Sequence, residues 1–158
     1  MDKITPCLWA DGNAEEMAAF YISIVPDSRI VAVTRSPADN PGNKEGEILM
    51  IELILAGRSF TILNGGPQFK FTEALSLQVL CEDQAEVDRL WSALSAHPES
   101  EICGWLKDRF GLSWQIVPKV LLKMISDPDR AAAKRAMQAM MSMSKLDIAS
   151  LESVFKAA

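Results

Sequence analysis

The 158-residue chain has a single histidine and three cysteines, and each scarcity narrows what it can do. One histidine, His97 in Ala96-His97-Pro98, leaves no Ser-His-Asp or Cys-His relay to build, and its place at a helix end suits contact with the helix C-terminus. Cys7, Cys81 and Cys103 cannot all pair within one chain, and their odd number and wide spacing fit a reducing compartment. Long apolar runs are missing too: the longest, Ile48 to Ala56, is interrupted by Glu52, well short of the roughly 18 residues of a membrane span. No basic cluster offsets a net charge of −5, so neither nucleic acid nor a membrane is an expected partner. The opening Met1-Asp2-Lys3 enters a strand pattern without the charged and apolar regions of a signal peptide, and a cytoplasmic location is expected.

What is present is ordinary globular composition, 49% hydrophobic and 23% charged. Ile4 to Ala10 reads as a strand. Asp11-Gly12-Asn13 reads as a turn able to cap a helix running to about Val25, with Met17, Phe20, Tyr21 and Ile24 at helical spacing. Strands are predicted over Ser28 to Thr34, Glu47 to Leu55 and Ser59 to Leu63, with a loop over Ser36 to Gly46. The pattern then starts again: a strand from Leu75 to Glu82, a helix capped by Asp83, strands over Ile102 to Lys107 and Leu112 to Val117. Helices close the chain, one capped by Asp127 with Pro128 in its first turn and one from Asp147. Met137, Met140 and Met141 fall on one helical face, as adaptable packing.

The recurring order suggests an internal repeat. An offset of 71 sets Asn13-Ala14-Glu15 on Gln84-Ala85-Glu86, and an offset of 54 sets Gly57-Arg58-Ser59-Phe60-Thr61-Ile62 on Gly111-Leu112-Ser113-Trp114-Gln115-Ile116. The offsets differ because the second half is short after its helix, where a strand is shortened or missing.

Specific segments carry a family resemblance. Ile4-Thr5-Pro6-Cys7-Leu8-Trp9 with Gly12-Asn13-Ala14-Glu15-Glu16, the run Leu63-Asn64-Gly65-Gly66-Pro67, and above all Cys103-Gly104-Trp105-Leu106-Lys107-Asp108-Arg109-Phe110-Gly111-Leu112-Ser113-Trp114-Gln115 resemble the PhnB-like branch of the glyoxalase/bleomycin-resistance (vicinal oxygen chelate) superfamily, labelled 3-demethylubiquinone 3-methyltransferase-like. The resemblance implies an α+β fold. Two βαβββ-type modules form a curved mixed sheet around a cleft, with halves at about 1–66 and 73–118 of a 1–118 domain, a helical tail over 119–158, and assembly as a homodimer.

The wider superfamily often holds a divalent cation through His and Glu. The equivalent positions are about Thr5, Thr61, Ser76 and Gln115, none of them a histidine or carboxylate, so no metal and no other cofactor is expected. Asn64-Gly65-Gly66-Pro67 lies between antiparallel-type strands and reads as a turn rather than a loop for S-adenosylmethionine. Strand alternation instead gathers Cys7, Trp9, Thr61, Ser76, Gln78 and Gln115 as candidate contacts for a small organic molecule. Glu52, mid-strand among apolar residues, is a candidate general base, and Cys103, next to Gly104 and near Lys107, a candidate thiol. Lys107 and Asp108 read as a surface turn, or as an ion pair at a cleft mouth. The alternatives to a binding or enzymatic cleft are a non-catalytic module that sequesters a ligand, and a structural or interaction protein with a vestigial cleft.

Overall fold

A computed structural model describes residues 2–157. The chain forms two compact units that divide between Lys70 and Phe71, each with one mixed sheet.

The first unit runs β1 (Cys7–Ala10), α1 (Ala14–Ile24), β2 (Arg29–Arg35), β3 (Ile48–Leu55) and β4 (Arg58–Asn64). Its sheet has the order β1-β4-β3-β2, with β1 parallel to β4 and the other neighbours antiparallel. Alternation sends Leu8, Ala10, Ile51, Leu53, Leu55 and Ile62 to one face, where they are buried with Ala14, Met17, Ala18 and Tyr21 of α1. Each large side chain hidden this way contributes about 1.5–3 kcal/mol. Ala56 and Gly57 both have positive φ, 46° and 78°, the geometry that lets a two-residue loop join twisted strands.

Two details depart from the sequence expectation. β1 begins at Cys7 rather than Ile4, because Ile4 is almost fully exposed and the Thr5 hydroxyl turns back to Asp2 O. Asn13 makes no side-chain cap; Asn64, arriving on β4, accepts from Ala14 N at 3.0 Å. The same buried side chain donates to Ile48 O at 2.8 Å, so one amide joins α1, β3 and β4.

The second unit runs β5 (Ser76–Cys81), α2 (Gln84–Leu94), a 3-10 turn at Pro98–Ser100, β6 (Trp105–Lys107), β7 (Ser113–Pro118), α3 (Lys119–Ile125), α4 (Arg130–Met141) and α5 (Ile148–Lys156). Its sheet has the order β5-β7-β6, with β5 parallel to β7 and β6 antiparallel to it. The sequence places one strand fewer in this half, and the sheet has three strands where the first has four. Asp83 caps α2 by accepting from Glu86 N, and Glu86 reaches back to Glu82 N.

β6 starts at Trp105, not Ile102, because Cys103 and Gly104 form a turn with φ of 54° and 84°. The amides of that turn donate to Met143 O and Ser144 O, which fastens the end of the helical segment onto it. The cap of α4 is Asp129, whose Oδ1 accepts from Ala131 N and Ala132 N; Asp127 instead accepts from Asp129 N. The core of the helical region is Val117, Leu121, Met124, Ala136, Leu146 and Leu151. The methionine face of α4 does not pack as one stripe. Its buried side is Ala132, Ala133 and Ala136, with Met140 partly covered and Met137 and Met141 exposed, because small residues let α4 approach α3 and α5 closely.

No described helix is long and apolar enough to cross a membrane.

Candidate ligand-binding site

In each sheet one face carries the helix and the other carries the polar candidates. In the first unit, Cys7 pairs with Thr61, which pairs with Glu52, so three residues singled out from sequence stand in one row across three strands. Trp9 lies in the next row, beside Leu63 and Met50. Cys7 is exposed, Glu52 half-buried and Thr61 buried, with its hydroxyl 3.4 Å from Pro6 O. Trp9 is committed to its own unit. Its indole N–H donates to Gly66 O at 2.7 Å, Phe69 meets its ring edge-on at 4.9 Å, and the ring lies so close to Gly65 that a Cβ there would sit 2.2 Å from it. That explains the glycine pair. The turn over 64–67 follows β4, antiparallel to β3 but also parallel to β1, and its open side is filled by indole.

In the second unit the corresponding face carries Gln78, Gln115 and Trp105 in one row and Ser76, Ser113 and Lys107 in the next. Gln115 donates to Ser76 Oγ at 2.8 Å and accepts from Gln78 Nε2 at 3.3 Å, so the three candidates form one hydrogen-bonded ladder of neutral groups. Lys107 is paired with Glu73. That contact holds the Glu73 carboxyl below its ordinary range, with the Lys107 hydrogen bond as the leading cause. A cavity of about 400 Å³ opens beside Trp105, Lys107 and Ser113 and is walled by Glu73, Glu99 and Ile102.

Asp108 corrects the surface-turn reading. It is fully buried, accepts from Phe110 N, Leu112 N and Trp114 Nε1 at 2.8, 3.0 and 2.8 Å, and leaves Lys107 to Glu73. Sequence reasoning missed it because the aspartate and its indole donor stand six positions apart on either side of a turn; the run Asp108-Arg109-Phe110-Gly111 was the available signal. Cys103 is half-buried in a left-handed turn conformation, and the ammonium of Lys107, proposed to activate it, is engaged by Glu73. Burial, aided by the Glu86 carboxylate, pushes the Cys81 thiol up to about 12, away from the range of an activated thiol. Ser113 and Trp105 join the candidates only in the structure, through their register with Ser76, Gln115 and Gln78.

The residues at the superfamily's metal positions do not fit a divalent cation. Thr5 lies outside β1 with its hydroxyl on Asp2 O, Thr61 faces Pro6 O, and Ser76 and Gln115 satisfy each other. Among the described residues, no group of three or more His, Cys, Asp or Glu side chains is placed to hold a metal ion.

Comparison with known proteins places this architecture. The family model described as 3-demethylubiquinone-9 3-methyltransferase matches residues 2–117. The chain belongs to that family. A putative 3-demethylubiquinone-9 3-methyltransferase, the PhnB protein of Bacillus cereus, is 35% identical over 74% of this chain and 99% of its own, with a TM-score of 0.62. Protein PA1353 of Pseudomonas aeruginosa shares the fold at 21% identity, covering 72% of this chain and 95% of its own, with a TM-score of 0.56. No curated protein matches the chain. The family is thus the PhnB-like branch of the glyoxalase fold, and its members' names do not establish a reaction for this one.

Proposed function

We propose that this protein binds a small, partly apolar organic molecule against its polar strand faces, using hydroxyl, amide and indole groups and no superfamily-type metal. The ladder Ser76–Gln115–Gln78 beside Trp105 carries the reading. Amides and hydroxyls set on a rigid sheet, next to an indole and a cavity of ligand size, make the mixture of apolar wall and few placed polar groups that small-molecule sites use. In the first unit, Cys7 and Thr61, with Trp9 as an apolar edge, form a polar strand face of their own. Glu52 and Cys103 remain the groups for chemistry if the ligand is transformed.

A second reading, sequestration without catalysis, is favoured by the neutrality of the ladder: Ser76, Gln78 and Gln115 offer recognition but no acid or base. The proposal assigns no methyl transfer, because the Gly65–Gly66 turn is occupied by Trp9. It includes assembly as a homodimer, a cytoplasmic setting consistent with three free cysteines, and descent of both halves from one module. For the last, the offsets of 71 and 54 carry Cys7 to Gln78 and Thr61 to Gln115, and Cys7 is the register partner of Thr61 as Gln78 is of Gln115.

The test is a small-molecule screen by ligand-observed NMR, with hits measured by calorimetry on wild type, Gln78→Ala and Gln115→Ala. Each substitution should weaken binding about three- to tenfold, the worth of one net hydrogen bond. Hits indifferent to both variants would reject the ladder as the site.

A further inference from the structure

The cavity at the β6 end of the second sheet has a chemistry distinct from the neutral ladder beside it. Ser113 is 1% exposed, yet its Oγ has no hydrogen-bond partner among the described residues. A buried hydroxyl without a partner is costly, and one kept in a folded protein calls for a group that completes it. Ser113 shares its strand face with Lys107 and Ser76 and lines the cavity. Around it stand three carboxylates, Glu73, Glu99 and Glu101, against one ammonium, Lys107, which Glu73 already holds. Its own backbone N–H first, and His97 after it, hold the Glu99 carboxyl below its ordinary range. Carboxylates outnumber ammonium groups around the cavity, with Glu99 beside His97 and Glu101 accepting from the Ser95 hydroxyl, so its wall is negative and rich in acceptor oxygens. The opposite character comes from Trp105 and the largely exposed Ile102.

We infer that this cavity receives a protonated amine carried on a flat apolar body, the ammonium donating to Ser113 Oγ and the Glu99 and Glu101 carboxylates while Trp105 covers the apolar part. An ammonium supplies three donors and no acceptor, which matches an acceptor-rich wall and a hydroxyl lacking a partner. An indole face attracts cations further. A carboxylate or phosphate ligand would meet the Glu99 and Glu101 carboxylates here and no ammonium that Glu73 does not already hold. A cavity of about 400 Å³ suits a single-ring amine and lies at the small end of ligand sites. The inference rests on the small-molecule reading above and narrows it to a charge class.

The experiment titrates the full chain with phenethylammonium, phenethyl alcohol and 3-phenylpropionate, following amide and indole N–H resonances by NMR. Phenethylammonium should shift Ser113 and the Trp105 indole saturably, and 3-phenylpropionate should not. Ser113→Ala separates binding from folding. Removing an unpartnered buried hydroxyl should leave the melting temperature of the free protein unchanged or raise it by about 2–4 °C, while weakening phenethylammonium about fivefold. Glu99→Gln should weaken it about threefold. Equal binding of the alcohol and the amine would overturn the charge assignment and leave the small-molecule reading standing. Absence of saturable shifts at Ser113 and Trp105 with any probe would overturn the site itself, whereas the ladder is judged separately by Gln78→Ala and Gln115→Ala. A fall in melting temperature with Ser113→Ala would show that the hydroxyl already has a structural partner and would likewise overturn the inference.

Discussion

The two units solve the same problem, the open edge of a small sheet, in different ways. In the first, β2 pairs with β3 and becomes the edge itself, with Ile30, Val31 and Val33 exposed and register irregularities at both ends of its pairing. In the second, no strand lies between α2 and β6. The chain turns through Pro98–Ser100, Ala96 N donates to Lys107 O on β6, and the helical segment closes the turn at Cys103-Gly104. An edge left as a bare strand is a site for pairing with other chains; an edge covered by loop and helix is closed to it. The difference teaches that a three-stranded sheet can cover its edge with loop and helix where a four-stranded one leaves a strand bare.

Each unit is also held by one buried polar side chain, and these staples should break differently. Asp108→Ala removes a charged acceptor from three N–H donors, one of them the buried Trp114 indole. We expect a loss of about 3–5 kcal/mol in denaturant unfolding. Asn64→Ala in the first unit strands the Ala14 N–H and the Ile48 carbonyl and should cost less, about 2–3 kcal/mol, because the lost group is neutral. An equal cost would mean that charge adds nothing at Asp108.

Gly65→Ala comes next. Its Cβ would fall 2.2 Å from the Trp9 ring, so the indole must leave its place, at about 1–3 kcal/mol with loss of the Gly66 hydrogen bond. Near-ultraviolet circular dichroism should report the displaced ring. A Gly65→Ala, Trp9→Ala double variant should be less unstable than the sum of the singles.

The helical segment should be the acid-sensitive part of the second unit. Asp129 and Asp147 cap α4 and α5, and both carboxyls lie below the ordinary 3.8, Asp129 through the Ala132 N–H first and Asp147 through Ser150. A carboxyl depressed on folding contributes stability above 3.8, and that contribution is lost as the pH falls through the lower folded value. Helical signal should therefore weaken below about pH 4, and Asp147→Asn, which keeps a capping oxygen but cannot titrate, should shift that loss to lower pH. No change in the acid profile would remove the caps as its cause.

The smallest effect belongs to the open edge. Val31→Thr on β2 should change unfolding free energy by no more than about 0.5 kcal/mol if the strand is solvent-facing in solution. A larger loss that grows with protein concentration would show the edge to be an interface of the proposed homodimer.

Element order and type were legible from the chain because they depend on local signals: helical spacing in α1, alternation in β3 and β4, and Asp83 and Asp147 at helix starts. The segment pattern also contained the strand count, four in the first unit and three in the second. Pairings of distant residues were not legible. Asn64 capping α1 across 50 positions, Trp9 closing over Gly65, and Gln115 meeting Ser76 all depend on strand register, which local sequence does not specify. The candidates thus came from alternation within single strands, whereas their grouping into the row Cys7–Thr61–Glu52, the ladder Ser76–Gln115–Gln78 and the cavity at Ser113 was decided by the tertiary structure. A strand tells which side chains share a face; only its neighbours determine what those side chains meet.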